Sequence, residues 1–207
     1  MILRDYQEEL VSHNLSAMDR GVKSTLNHLF TGAGKTVCFV TMASRIPGRT
    51  LIMCHLRPLV WQTVDKVREI CDLDPGVEMA DYASDENDWF PAKVVVASKP
   101  TLTSKRGGEY RYKRFTDMSL VIVDEAHLMC SPAVVEMLRW FQDTGAMIAG
   151  FTATPFRMDG KPMLRRAACS SMKNSSEDTT CTGPSPTDGQ SHLFANSPES
   201  KDLTCPW

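Results

Sequence analysis

The run Leu120-Val121-Ile122-Val123 constrains the fold more than any other part of this sequence. Four consecutive apolar residues leave no polar side for solvent, so a strand built from them must be covered on both faces. Thr50–Cys54, Lys93–Ala97 and Ala146–Phe151 have a similar character. Helical patterns lie between these runs, over about 5–19, from the loop at 31–34 to about 45, and over about 58–71. Another begins at Ser131-Pro132, with Ser131 as N-cap and Pro132 in the first turn. Val134, Met137, Leu138 and Phe141 then recur at the spacing of one helical face. Buried strands alternating with helices predict an α/β fold, a mainly parallel sheet with helices on both faces. The weak member is the first strand, at 25–30. Ser24-Thr25-Leu26-Asn27-His28-Leu29 is too polar for a central buried strand, and the local sequence supplies no reason for it.

Composition sets the domain limits. Residues 1–164 have the apolar content of a domain that buries most of its unfolded surface. From Arg165 to Trp207, 43 residues carry only Met172, Leu193, Phe194, Leu203 and Trp207 as large apolar side chains, among eight Ser, five Thr and four Pro. So few anchors cannot offset the entropy of ordering the segment, and 165–207 is expected to be a disordered tail. Residues 81–92 and 103–118 read as polar loops. The second holds Lys105, Arg106, Arg111, Lys113 and Arg114, read first as a solvated cluster, with phosphate contact as the alternative. A net charge of −2 excludes a globally basic nucleic-acid binder but not a locally positive groove. No apolar run is long enough to span a bilayer, and no signal peptide is visible. Seven cysteines without a CxxC pair suggest reduced thiols and no zinc site, and a cytoplasmic, nucleoid or nuclear setting with no membrane partner.

Two short motifs carry chemistry. Thr31-Gly32-Ala33-Gly34-Lys35-Thr36 is a phosphate loop in composition. Glycine lets backbone N–H groups converge on phosphate oxygens, and the following helix adds its N-terminal amides and dipole. Lys35 would face the β- and γ-phosphates and the Thr36 hydroxyl would hold Mg²⁺. The widest pattern asks for a further Gly where Leu29 stands. The second motif follows the buried run: Asp124-Glu125-Ala126-His127, 89 residues after Lys35. A strand delivering carboxylates to its carboxyl end puts them where α/β sheets bind ligands. Asp124 would orient Mg²⁺, and Glu125 would polarise the water attacking the γ-phosphate. His127 alone reads as a structural histidine.

Together the motifs resemble the first RecA-like domain of a superfamily 2 helicase of the DEAH/DEXH kind, on the branch shared by restriction translocases and repair helicases. Leu3-Arg4-Asp5-Tyr6-Gln7 resembles the Arg-x-Tyr-Gln motif, which implies that Gln7, with Arg4, reads adenine. Leu51–Gln62, with His55 and Arg57, and Val95–Leu102, with Thr101, resemble segments that contact the nucleic-acid backbone. Gly150-Phe151-Thr152-Ala153-Thr154-Pro155-Phe156-Arg157 resembles the Thr-Ala-Thr motif coupling hydrolysis to strand movement, a role that groups His127 with Thr152 and Thr154. Plainer readings stay open: a cap, a surface charge and a turn for His55, Arg57 and Thr101, strand-end residues for Thr152 and Thr154, an exposed helical residue for Gln7. Phe30, Pro58 and Pro100 stand where the family usually has Pro, an acid and Gln.

The resemblance implies a RecA-like P-loop domain that uses ATP and Mg²⁺, bound by Thr31, Gly32, Ala33, Gly34, Lys35 and Thr36. Lys35, Asp124 and Glu125 would be catalytic, and DNA is the expected partner in preference to RNA. In such enzymes a second domain supplies arginines, which can contribute 10³–10⁵ in rate, about 4–7 kcal/mol. The resemblance ends at Lys161, and 165–207 cannot form a second sheet. The expectation is therefore a truncated ATP-binding domain, weak or inactive in hydrolysis by itself. The alternative is a non-catalytic nucleotide-binding half-helicase working through a partner subunit that supplies the second domain. An unrelated P-loop kinase or GTPase has no use for the Asp-Glu-Ala-His and Thr-Ala-Thr pair.

Overall fold

A computed structural model describes residues 2–84, 91–154 and the strand 192–195. Its elements are α1 (Asp5–Asp19), β1 (Ser24–His28), α2 (Lys35–Arg45), β2 (Arg49–Cys54), α3 (Arg57–Cys71), β3 (Gly76–Glu78), β4 (Val94–Ser98) and α4 (Lys99–Leu102). A small hairpin, β5 (Lys105–Arg106) and β6 (Glu109–Tyr110), precedes β7 (Met118–Asp124), α5 (Pro132–Asp143), β8 (Met147–Thr152) and β9 (His192–Ala195). The main sheet runs β3-β4-β2-β7-β8-β1-β9. All its pairings are parallel except β1 with β9.

The continuous apolar strands are explained by two cores, one on each face. Ile52, Val94, Val96, Leu120, Ile122 and Ala149 pack under α1, α2 and α3 with Leu10, Phe39, Val60 and Val64. Their neighbours in sequence, Leu51, Met53, Val95, Val121, Val123 and Ile148, point the other way, toward Val134, Met137, Leu138 and Phe141 of α5. Successive strand residues alternate between faces, so a strand covered twice must be apolar throughout. Pro58 and Pro132 lie in the first turns of α3 and α5, where a missing N–H costs nothing. Ser131 is the N-cap residue of α5 as expected, but its side chain makes no capping bond.

The polar first strand has a physical explanation in the fold. Thr25 and Asn27 are fully buried and face a fully buried Asn14 of α1. Thr25 Oγ1 donates to Asn14 Oδ1 at 2.7 Å, Asn14 Nδ2 donates to Asn27 Oδ1 at 2.8 Å, and Asn27 Nδ2 also reaches the Gly150 carbonyl at 3.2 Å. The network ties α1 to β1 and β1 to β8. Buried polar groups persist where each finds a partner.

One part of the chain differs from expectation. The segment 103–118 is not a plain polar loop, because Arg111 is buried and donates to Glu78 Oε1 at 2.6 Å. Arg114 donates to Glu78 Oε2 at 3.2 Å and to the Ser84 carbonyl at 2.6 Å, so two of the cluster's three arginines are anchored on Glu78, while Arg106 is exposed. Glu78 itself is fully buried in β3, a strand that the sequence pattern did not suggest. In the tail, 192–195 pairs its backbone with the free side of β1, whose N–H and C=O groups would otherwise be open. The rest of 165–207, the residues Pro155-Phe156-Arg157 and positions 85–90 lie outside the described residues.

Replacing Asn14 by Ala strips partners from Thr25 and Asn27. The expected result is a loss of about 2–3 kcal/mol in urea unfolding. A change below about 0.5 kcal/mol, typical of an exposed site, would contradict this role for the network.

Candidate nucleotide site

The phosphate loop leaves β1 and the acid pair leaves β7, with β8 between them. The three strands are parallel and end level: His28 is opposite Thr152, and Asp124 is opposite Phe151. Adjacent strands lie about 4.8 Å apart, so the two motifs are about 10 Å apart along the carboxyl edge, a triphosphate's breadth. Lys35, the first residue of α2, brings its Nζ to 3.5 Å from Glu125 Oε1. Both side chains are mostly sheltered, with 12% and 24% exposed.

The loop's shape depends on glycine. Gly32 and Gly34 have φ of 87° and 81°, the left-handed region, and Gly34 serves as the N-cap of α2. A Cβ on Gly34 would lie 2.5 Å from Gln7 Nε2. Gln7 is buried and donates to the Ala33 carbonyl at 2.9 Å, while its Oε1 accepts from the Arg4 N–H at 3.0 Å. Tyr6 donates its hydroxyl to the same Ala33 carbonyl at 2.8 Å. Tyr6 lies within the quoted Arg-x-Tyr-Gln segment, but its partner is 27 positions away, so sequence reasoning did not single it out. Thr31, Gly32 and Arg4 are exposed at the mouth, and Thr36 is half-buried in the first turn of α2.

On the acidic side, burial raises the Asp124 carboxyl to about 6, and the neighbouring Glu125 carboxylate adds to the effect, while Lys35 and the Glu125 N–H oppose it. That N–H donates to Asp124 Oδ1 at 3.0 Å. Glu125 has φ of 50°, left-handed for a residue with a side chain, a strain that recurs at functional sites. His127 is bonded to the coupling motif: its Nδ1 lies 2.9 Å from Thr152 Oγ1 and 3.4 Å from Glu125 Oε2. Thr152 Oγ1 also lies 2.8 Å from the Thr154 carbonyl and accepts from the Thr154 N–H at 3.1 Å. One chain of contacts thus runs Lys35–Glu125–His127–Thr152–Thr154.

The remaining residues named from sequence are not hydrogen-bonded into that chain among the described residues. His55 follows β2; its Nδ1 has no partner among the described residues, and burial lowers its pKa, with Glu125 opposing. Arg57 is exposed at the start of α3. Thr101 is buried, and its hydroxyl accepts from the Ala80 N–H at 2.9 Å and from Ser98 Oγ at 2.8 Å, a local structural use.

A family model described as "Type III restriction enzyme, res subunit" matches residues 1–157. The chain belongs to that family. Its sheet and motif order are those of the N-terminal RecA-like domain of superfamily 2 helicases. A Schizosaccharomyces pombe protein, provisionally named mitochondrial ATP-dependent helicase irc3, is 33% identical over 174 residues, covering 77% of this chain and 27% of its own length. The Sulfurisphaera tokodaii "DNA 3'-5' translocase XPB2" is 30% identical over 163 residues, covering 78% of this chain and 33% of the relative. Among solved structures, the Pyrococcus furiosus Hef helicase domain superposes with a TM-score of 0.58 at 25% identity, over 73% of this chain and 33% of that one. This chain therefore spans between a quarter and a third of these proteins' lengths. No helix among the described residues is long and apolar enough to cross a membrane.

In this helicase-family domain the acidic side is built at a cost to stability. Asp124 ionises near 6 in the fold, against 3.8 for an ordinary Asp. The folded state therefore resists ionisation, a penalty of about 2–3 kcal/mol that is complete above pH 6 and disappears below 3.8. Without nucleotide or Mg²⁺, Asp124→Asn is expected to raise stability by that amount at pH 8, with the gain shrinking as pH falls through 6 to 3.8. Urea unfolding at pH 8 and pH 4 tests it, and an equal effect at both would show that the group is not held above its usual value.

Proposed function

We propose that this domain binds Mg-ATP across the carboxyl edge of β1, β8 and β7 and hydrolyses it as one half of a DNA helicase or translocase motor. The observation that carries the reading is the 3.5 Å approach of the Lys35 ammonium to the Glu125 carboxylate. Those are the groups needed at the γ-phosphate, the one neutralising its charge and the other orienting the attacking water. Bound γ-phosphate draws the ammonium of Lys35, and Glu125 is then free to accept a hydrogen bond from that water. The amides at the start of α2 and of the Gly32–Gly34 turn hold the other phosphate oxygens.

Gln7, with Arg4 beside it, is our choice for the base. Its amide has two N–H donors and two lone pairs, and the fold uses one of each, on Ala33 and Arg4. One donor and one acceptor remain, the pair that adenine's N7 and N6 amino group require. A ligand held there also bears on the phosphate loop, through the bond to Ala33.

The oxygen donors of Thr36 and Asp124 suit Mg²⁺, which keeps most of its water and takes one or two carboxylates plus phosphate oxygens. A carboxyl raised by burial and by a neighbouring acid is one that a cation relieves. When bound, Mg²⁺ neutralises charge on the phosphates. His127 and Thr152 connect Glu125 to Thr154, a route by which the phosphate state reaches the coupling segment. DNA is our choice of track because one relative is named a DNA translocase. An arginine brought from outside the described residues would complete the site, so hydrolysis by this chain alone is expected to be slow.

Titration with a fluorescent ATP analogue and Mg²⁺ checks the proposal. Lys35→Ala is expected to weaken binding at least about tenfold, the loss of about 1.4 kcal/mol or more from a charge-assisted phosphate contact. Unaltered affinity would remove the basis for the assignment.

A further inference from the structure

Trp61 and Tyr82 form an exposed aromatic pair that the nucleotide chemistry does not use. Their rings meet edge to face with centroids 5.4 Å apart and planes at 86°. Trp61 keeps 39% and Tyr82 keeps 55% of its surface open to solvent. They come from different elements, the second turn of α3 and the turn after β3, and both stand on the carboxyl edge shared with Lys35 and Glu125.

The turn that presents Tyr82 is held rigidly. Met79 and Tyr82 exchange backbone hydrogen bonds of 3.0 and 2.9 Å. Arg111 donates to the Ala80 carbonyl at 2.7 Å and to the Tyr82 carbonyl at 3.1 Å, while Thr101 accepts the Ala80 N–H. Ala80 has φ of 51°, a left-handed conformation unusual for alanine. The fully buried Glu78 positions Arg111. A buried charge cluster and a strained residue therefore hold a turn whose large aromatic side chain faces water. Ring surface kept open on a rigid support is how aromatic contact sites are built, because little entropy remains to be lost on binding.

The surroundings identify the occupant. Arg57 and Trp61 are four residues apart on α3, hence neighbours on one face, and both are exposed. The N-terminus of α3 has no side-chain cap and no acid in its first turn, so its amides and dipole favour a phosphate beside Arg57. Cation and ring are separated by about 6 Å along the helix, close to the phosphate-to-base reach of one nucleotide. Asp65, one helical turn beyond Trp61 on α3, and Asp81, next to Tyr82 in the chain, are both exposed, and their charge disfavours a second phosphate there. A neutral, planar ligand joined to one phosphate fits this pattern.

We propose that Trp61 and Tyr82 are a stacking platform for an unpaired base of single-stranded DNA whose adjoining phosphate lies at Arg57. The proposal rests on the motor reading above and adds a contact to the base, where the segment's family resemblance implied contact to the backbone alone. Base–aromatic stacking tolerates any base, since each has a π-face.

The test measures binding of the full chain to a labelled single-stranded oligodeoxynucleotide and to the same strand with abasic sites, by fluorescence anisotropy. The native chain is expected to prefer the intact strand by at least about fivefold, the lower end of what one stacked base contributes. Trp61→Ala and Tyr82→Ala should each bring the two strands toward equal affinity, and Trp61→Phe should restore much of the preference. Affinity for the fluorescent ATP analogue must stay unchanged in each variant, which shows that the domain is folded. An intact-to-abasic ratio that survives both alanine variants, or a native chain that binds the two strands equally, overturns the platform while leaving the motor reading intact. A native chain that binds neither strand, yet binds Mg-ATP, overturns the platform together with the DNA part of that reading.

Discussion

The structure depends on the parallel alignment of β1, β8 and β7. Because these strands run the same way and end level, the phosphate loop, the Thr-Ala-Thr segment and the acid pair emerge side by side at one edge. A change of direction or register in any of them would send Lys35 and Glu125 to different places. The two apolar cores hold the alignment, and the buried amide network between Asn14, Asn27 and Gly150 fixes β1 against β8. Packing and polar satisfaction thus act on the same strands.

At that edge the fold accepts local costs. Asp124 is half-buried beside another carboxylate, and Glu125 is held in a left-handed conformation. Neither stabilises the fold by itself, and each makes sense if a cation and a polyphosphate complete the charge balance. Stability given up at a site and recovered on ligand binding is a general pattern of functional residues. The chain of contacts through His127 to Thr152 gives that balance a physical connection to the end of the adjacent strand β8.

Much of this was legible in the sequence, for reasons specific to particular residues. Leu120–Val123 could only be a strand covered on both faces, and Gly32, Gly34, Lys35 and Thr36 could be recognised because a phosphate loop is contiguous. The parts that were not legible involve partners distant in sequence. Thr25 and Asn27 look out of place until Asn14 faces them, and Glu78 looks like a loop residue until Arg111 and Arg114 enclose it. Tyr6 acts on Ala33, and Thr101 is turned inward by Ala80 and Ser98. Hydrophobic periodicity reports burial against solvent; it does not report which polar groups satisfy one another.

The central claim is that one triphosphate fits between the loop at Lys35 and the acids at 124–125. The most direct measurement is a crystal structure of this chain with a non-hydrolysable ATP analogue and Mg²⁺. The expected result is a γ-phosphate lying between the Lys35 ammonium and the Glu125 carboxylate, with their direct contact broken. An analogue bound elsewhere on the molecule, with the Lys35–Glu125 contact undisturbed, would contradict the account.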